Sequence, residues 1–403
     1  MNLVLLTHPP FLGSHSQAHF ARMLVEAYRA RGHTVSLRQP QPLVHRFVPA
    51  GRLSKWAGYV DQYLVFPAQL RAAMAGDPAD TLYVLCDQAL GPWVPQLAHR
   101  PHVVHCHDLL ALRSALGDLP ENPTSLTGRV YQRYIRRGFR HARHFISISQ
   151  KSRDDLHRHG GVKPVTSEVV YNGLNHPYRP LAPGAARTMF AQAGLPADER
   201  PCLLHIGGGQ WYKNTPGVVR LYASYASEAL RQGALPLPLW MVSPSPNEAV
   251  QRALSHVPPQ AEVRFFSGVA NEFVEALYSH AAALLFPSLA EGFGWPIAEA
   301  MACGCPVITT GEAPMTEVGG DVAIYLPRLQ HDDDVAAWAQ AGAVRLSQVL
   351  ARSVAERHAC ATAGLAWATR FDPHAAVDQY LAVYERVLAI ERGAETSRTK
   401  ACT

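Results

Sequence analysis

Two glutamates eight positions apart, Glu291 and Glu299, bracket a stretch of chain whose order of residue types suits the binding of an anion. The apolar run Leu284 to Phe286 ends at Pro287, a glycine-spaced loop follows through Gly292, Phe293 and Gly294, and Pro296 suits the first turn of a helix ending near Gly304. Such an order aims loop amides and the positive end of a helix at one point beyond the carboxyl edge of a sheet. The two carboxylates cannot be there for a phosphate, which would repel them; as acceptors they suit sugar hydroxyls. Two readings of the pair stand: sugar recognition, or a Glu299 in the first helical turn that complements the dipole beside a solvated Glu291.

The other clusters are weaker taken alone. Gly207 and Gly209, after the run Leu203 to Ile206, fit the first two positions of a dinucleotide GxGxxG, but the third falls on Tyr212 and the fingerprint fails. No lysine follows a glycine, so there is no Walker A loop. Gly13, in Pro10 to Ser16, allows close backbone approach to a phosphate and equally serves an ordinary strand-to-helix turn. His105 and His107 fall on one face of a strand that ends His105-Cys106-His107-Asp108, yet nothing nearby completes a metal-ligand set, and His105 also reads as a satisfied core histidine. Asp332-Asp333-Asp334 contains DxD but precedes the helical pattern Val335 to Leu350, where acids cap free amides. Arg129, Arg133, Arg136, Arg137 and Arg140 recur at helical spacing with Tyr131, Tyr134, Ile135 and Phe139 between them. That face is either solvated or a dock for phosphates or a membrane surface.

The stretch from Pro287-Ser288 through Glu291-Gly292-Phe293-Gly294, Pro296 and Glu299-Ala300-Met301-Ala302-Cys303-Gly304 to Pro306-Val307 resembles the donor-site signature of family 4 glycosyltransferases. The similarity runs on through Gly311-Glu312-Ala313-Pro314, Glu317, Val318, Gly319 and Gly320, and weaker echoes cover nearly the whole chain. The resemblance implies a GT-B fold, two Rossmann-like doubly wound α/β domains facing across a cleft. It also implies retaining, metal-independent transfer of a hexose from a nucleotide sugar, with no resident cofactor. A second matching element is Leu203 to Asn214, where Lys213 is one of only five lysines in the chain. A departing nucleoside diphosphate carries about two negative charges, which a positioned cation and amides can stabilise. In related enzymes an Arg often precedes this Lys by five or six positions; here Gly207 and Gly208 stand there.

Carried onto this sequence, Lys213, the Gly292-Phe293-Gly294 amides and Gly13 stabilise the diphosphate, Glu291 orients the hexose, and Glu299 binds the nucleotide ribose. Val269 offers the base a backbone contact, and His107 lies near the transferred sugar. Ser14, His15, Arg133, Arg136, Arg137 and Arg140 fall to the acceptor or to a membrane. The donor class is a UDP-, GDP- or ADP-sugar, and the acceptor a glycan or lipid-linked glycan of surface polysaccharide or glycoconjugate synthesis. A nucleotide-sugar epimerase of the same architecture and a non-catalytic sugar- or phosphate-binding protein remain as alternatives.

Positioning these residues takes a particular scaffold. Twelve short apolar runs punctuate the chain: Leu3–Leu6, Val35–Leu37, Leu82–Leu85, His102–Cys106, Phe145–Ile148 and Val169–Tyr171, then Leu203–Ile206, Leu239–Val242, Val263–Phe266, Ala283–Phe286, Val307–Thr309 and Ala323–Tyr325. They are continuous rather than alternating, and helical patterns such as Ala18–Arg31, Gly217–Gln232 and Ala270–His280 separate them, which predicts parallel sheets covered on both faces. The expected domains are 1–180 for the acceptor, 181–374 for the donor, and 375–403 as a helix returning to the first domain plus a polar tail. The Pro/Gly-rich stretch His176 to Gly184 marks the boundary.

At 403 residues and 48% hydrophobic, the chain is long and apolar enough for two or three packed units, which excludes disorder as its main description. Residues 1–190 carry 22 Lys and Arg against 11 Asp and Glu, whereas the remainder is acidic within a formal total of +5. The basic half anticipates an anionic partner, but the acidic half and the lack of any nucleic-acid-reading motif argue against nucleic acid. Seven scattered cysteines without CxxC spacing predict free thiols in a reducing cytoplasm. The Leu3–Leu6 run is too short for a signal peptide, and no run reaches spanning length, so the expected location is cytoplasmic, possible contact with the inner face of the membrane included.

Overall fold

The computed structural model describes residues 1–12, 15–49, 51–193, 200–330 and 334–401. It contains two six-stranded sheets, all of whose strand pairs are parallel. The first comprises β1 (Asn2–Leu6), β2 (Thr34–Arg38), β3 (Leu82–Leu85), β4 (His102–Cys106), β5 (His144–Ser147) and β6 (Thr166–Val169), in spatial order β2-β1-β3-β4-β5-β6. The second comprises β7 (Cys202–Ile206), β8 (Leu239–Val242), β9 (Val263–Phe266), β10 (Ala281–Phe286), β11 (Val307–Thr310) and β12 (Ile324–Leu326), in order β12-β11-β10-β7-β8-β9. All twelve apolar runs are therefore strands or overlap one. β6 begins three residues before the run that announces it, because this edge strand is half-buried and carries Ser167 and Glu168.

The chain divides into two compact units, Met1–Asn172 with His374–Thr403, and Gly173–Pro373. In the first unit the pleat sends Leu3 and Leu5 into one apolar cluster and Val4 and Leu6 into another, so the sheet is covered on both faces. The final helix, Pro373–Ala401, supplies Tyr380, Tyr384 and Val387 to the first cluster. There the Tyr384 hydroxyl lies 3.0 Å from that of Tyr28 and 2.7 Å from His105 Nε2, and Tyr380 donates to Asn172 Oδ1 at 3.1 Å. The opposite face is closed by the segment Gln88–Leu97 and the helix Leu126–Phe139, which meet backbone to backbone. A Cβ on Gly138 would come within 2.3 Å of the Gly91 carbonyl oxygen, so only glycine permits that approach. The second unit packs Leu203, Leu239, Met241, Leu285 and Ile308 against the helices Thr215–Arg231 and Val335–Leu350. Asp334 caps the latter, accepting from Ala336 N and Ala337 N, as the capping assignment expects; Asp332 and Asp333 lie outside the described residues.

Candidate functional site

In each sheet the strand order reverses beside the first strand of its unit, and the loops leaving the two strands at such a switch diverge to open a crevice at the carboxyl edge. In the second unit those strands are β7 and β10, which puts the loops after Ile206 and after Phe286 side by side. Backbone and side chains tie them together. Leu289 N donates to Tyr212 O at 2.7 Å, and Asn214, the one described non-glycine residue with positive φ (52°), donates from Nδ2 to Pro287 O at 3.0 Å.

This junction seats Lys213 at the end of the short turn Trp211–Lys213. Its ammonium donates to Glu291 Oε1 at 2.9 Å and lies 4.7 Å from the centre of the Phe286 ring. Glu291 is only 8% exposed, so the solvated-acid reading of this residue does not hold. Gly207 sits against the same lysine: a Cβ there would fall 2.7 Å from His205 Nε2 and 3.2 Å from Lys213 Cβ. At Gly208 a Cβ would meet only the Gln210 side chain, at 2.9 Å. His205 itself is buried, donates from Nδ1 to the Leu285 carbonyl at 2.8 Å, and burial pushes its pKa down to about 4, so the neighbour of Lys213 is a neutral imidazole.

Gly294, at φ +100°, caps the helix Trp295–Ala302, a conformation that favours glycine. Phe293 is buried, its ring edge-on to Phe371 at 5.6 Å, so what this residue presents to the loop is backbone. Glu299 is the fifth residue of that helix rather than part of its first turn, and points inward at 6% exposure; dipole complementation is not its role. Tyr278 on the helix Asn271–His280 donates its hydroxyl to Glu299 Oε2 at 2.8 Å. Burial outweighs that bond and the attraction of Lys213, and raises the Glu299 pKa to about 7. Val269 follows edge strand β9, two strands from β7.

In the first unit the switch lies between β1 and β3, where His8 Nε2 meets Asp87 Oδ2 at 3.0 Å. His107, just past β4, has its ring buried edge-on to Phe20 at 4.8 Å. Its Nε2 donates to the Cys86 carbonyl at 2.9 Å, which leaves Nδ1 as the acceptor nitrogen. Burial holds its pKa below the ordinary value, against the pull of Asp87. His105 is wholly buried and committed to Tyr384, as a core histidine would be. Among the described residues no three His, Cys, Asp or Glu side chains are grouped to hold a metal ion. Gly13 and Ser14 lie outside the described residues, as does the side chain of His15, the first residue of the helix His15–Ala30.

The arginine stripe is divided. Arg136 and Arg140 donate from Nε to the carbonyls of Gly160 and Gly161, at 3.2 and 3.0 Å, whereas Arg133 and Arg137 are exposed. Two residues of the second unit escape sequence reasoning. Tyr278 carries no motif and meets Glu299 only through the packing of two helices. Arg328, just past β12, donates from Nε to Leu289 O at 2.8 Å and so adds a cation to the loop that holds Glu291. A lone arginine after an edge strand gives no signal of that proximity.

Comparison with known proteins gives the family and the fold. Residues 200–347 match the family model described as glycosyl transferases group 1, and residues 17–173 that described as glycosyl transferase 4-like domain. O-antigen chain mannosyltransferase B of Escherichia coli is 30% identical over 121 residues, 30% of this chain and 31% of the relative. The chain spans less than half the length of the curated relatives it matches first. Among solved structures, sucrose-phosphate synthase from Thermosynechococcus elongatus superimposes with a TM-score of 0.70 at 19% identity, covering 97% of this chain and all of that one. Anabaena HepE, solved in complex with UDP and glucose, gives 0.65 at 18% identity, covering 96% and 100%. At these identities the structures show a shared fold, that of GT-B glycosyltransferases.

Proposed function

The chain belongs to the glycosyl transferases group 1, and we propose that it moves a hexose from a nucleotide sugar to a glycan or lipid-linked glycan, with retention at the anomeric carbon and without a metal. The observation that carries this reading is the part-buried pair Lys213–Glu291 at the junction of the β7 and β10 loops, with Glu299 on the following helix. Lys213 neutralises the diphosphate as the glycosidic bond breaks, helped by the main-chain amides of Gly292, Phe293 and Gly294. Glu291, oriented by its ion pair, accepts from the hexose hydroxyls, and Glu299 accepts from the nucleotide ribose. Val269 offers its backbone to the base. On the first unit, His107 Nδ1 accepts from a sugar hydroxyl. The preorganised cation and amides stabilise the leaving group without reorganising during the reaction. UDP in the HepE complex supports a nucleoside diphosphate as the leaving group.

The test is release of free nucleoside diphosphate by the full chain from UDP-, GDP- and ADP-sugars, with and without a cell-envelope lipid extract. Acceptor-dependent release from one donor is the expected result. Conversion of a donor with no acceptor points to the epimerase, and binding of a nucleotide sugar without turnover to a recognition protein; either outcome removes the transferase reading.

The buried carboxyl of Glu299 sets a pH dependence. Only its ionised form accepts two ribose hydroxyls, so with a pKa of about 7 the apparent dissociation constant of the nucleoside diphosphate rises about tenfold between pH 8 and pH 6. Calorimetric titration across that range measures it, with Glu299→Gln as the control that removes this component. A native profile with the same slope as that of the variant would take Glu299 out of the nucleotide site.

A further inference from the structure

The first unit exposes large apolar side chains where a globular surface ordinarily hides them. Phe47, Leu53, Trp56, Leu64, Leu126 and Val130 are each between 63% and 78% exposed. They do not lie scattered. Leu53, Trp56 and Leu64 share one face of the helical stretch Arg52–Val65, spaced i, i+3 and i+11, while Leu126 and Val130 are one turn apart on the helix Leu126–Phe139. The two helices are joined by tyrosines: Tyr59 stacks on Tyr131 at 5.4 Å, Tyr63 and Tyr131 share a 2.6 Å hydroxyl contact, and Tyr63 meets Tyr134 edge-on at 5.4 Å. Trp56 in turn packs edge-on against Tyr59 at 5.9 Å. Asp61 draws in the preceding loop, accepting from Val44 N at 2.8 Å and His45 N at 2.9 Å, two residues before Phe47.

The charge around this patch has one sign. Arg46, Lys55, Arg129, Arg133 and Arg137 are exposed on the same loop and helices. Between Gln41 and Ala75 the only acid is Asp61, buried and committed to its two amides, and between Asn122 and Arg153 there is none. A second copy of the chain would set like charges against one another across such a face, which disfavours self-association. An anionic bilayer fits both properties. Its headgroups neutralise the cations, whose long stems reach around the apolar side chains, and its acyl boundary takes Trp56, Phe47 and the leucines. No helix among the described residues is long and apolar enough to cross a membrane.

We propose that the face formed by Arg46, Phe47 and residues 53–64 and 126–137 docks this protein on an anionic lipid surface, with Leu53, Trp56, Leu64, Leu126 and Val130 entering the interface. The same helix approaches the loop after β1: a Cβ on Gly58 would fall 2.7 Å from Leu12 Cδ2, and Phe11 lies 4.8 Å from the His45 ring. Docking therefore brings Phe11 and Leu12 towards the lipid. A lipid-anchored acceptor follows only on the transferase reading; the dock itself does not rest on it.

Flotation of the full chain with vesicles tests the dock. Vesicles of phosphatidylcholine with phosphatidylglycerol should bind it at least about tenfold more tightly than phosphatidylcholine alone, and salt should weaken the binding as the Debye length shortens. The pair Leu53→Ser with Trp56→Ser should lower binding by about tenfold or more, and Arg133→Gln with Arg137→Gln by about 10- to 30-fold on anionic vesicles only. Nucleoside diphosphate affinity, measured on the Leu53/Trp56 pair, should stay at the native value and shows that the variant is folded. Equal vesicle binding by native protein and the Leu53/Trp56 pair overturns the proposal. So does a dimer, seen by light scattering, that this pair dissociates, since the face would then belong to a second copy. A chain that binds nucleoside diphosphate but no anionic vesicle sinks the dock and leaves the transferase reading standing. A chain that floats with vesicles yet releases no diphosphate sinks the transferase reading and supports the dock.

Discussion

Replacing Lys213 by alanine should lower kcat for sugar transfer by about 10²- to 10³-fold, the usual loss when one preorganised charge-stabilising donor is removed. The expectation follows from where the ammonium is held. It is fixed at 2.9 Å from Glu291 and stands over the Phe286 ring, so little side-chain motion remains to be ordered when the diphosphate departs. Because the charge on the leaving group grows as the bond breaks, kcat should fall more than KM rises. The substitution also leaves the Glu291 carboxylate without the ion-pair partner that holds it, so the acceptor for the hexose is no longer oriented. Lys213→Arg restores charge but not shape, since a planar guanidinium does not occupy the point where the ammonium sits, and should recover only part of the loss. Turnover unchanged in the alanine variant, measured by diphosphate release, would remove Lys213 from the mechanism.

The second large effect concerns binding rather than rate. At pH 8, where native Glu299 is mostly ionised, Glu299→Gln should weaken nucleoside diphosphate binding by about 1.5–3 kcal/mol, a factor of roughly 10 to 150, as a charged acceptor becomes a neutral one. Glutamine keeps the volume and can still accept from Tyr278, so the loss reports on the charge. Stability runs the other way. A carboxyl whose folded pKa is raised favours folding most when protonated, and that contribution is lost as pH rises from about 4.5 through about 7. At pH 8 the glutamine variant should therefore melt no lower than native protein, which separates lost affinity from lost fold. An unaltered dissociation constant at pH 8 contradicts the ribose role.

The sheets were legible in the sequence because parallel strands covered on both faces must be apolar without interruption, and Gly and Pro punctuate their ends. The helical stretch after Arg52 was not. With Leu53, Trp56 and Leu64 facing outward and Phe66 and Leu70 inward, its apolar residues encircle the axis and the helical period is blurred. Within the site, sequence pattern located Glu291, Glu299 and Lys213 but not their relations. The ion pair of Lys213 with Glu291 spans 78 positions, and the bond of Tyr278 to Glu299 joins two helices. Neither the burial that moves Glu299 from the exposed first turn to the interior, nor the turn of chain that sets Gly207 against His205 and Lys213, can be read from spacing. These depend on which strands become neighbours, and that is a property of the whole sheet.

Because the helix Pro373–Ala401 lines the core of the first unit, that unit is built from two segments that the middle unit separates along the chain. During synthesis, residues 1–172 emerge with Tyr28 and His105 lacking their partner Tyr384, and they wait while about 200 further residues are added, roughly 10–40 s at about 5–20 residues per second. The middle unit, contiguous in the chain, has all of its strands before the first has its last helix. Residues 1–172, made before the middle unit, are thus among the last to find complete surroundings, and a stop before the final helix leaves them with an open apolar seam for chaperones to guard.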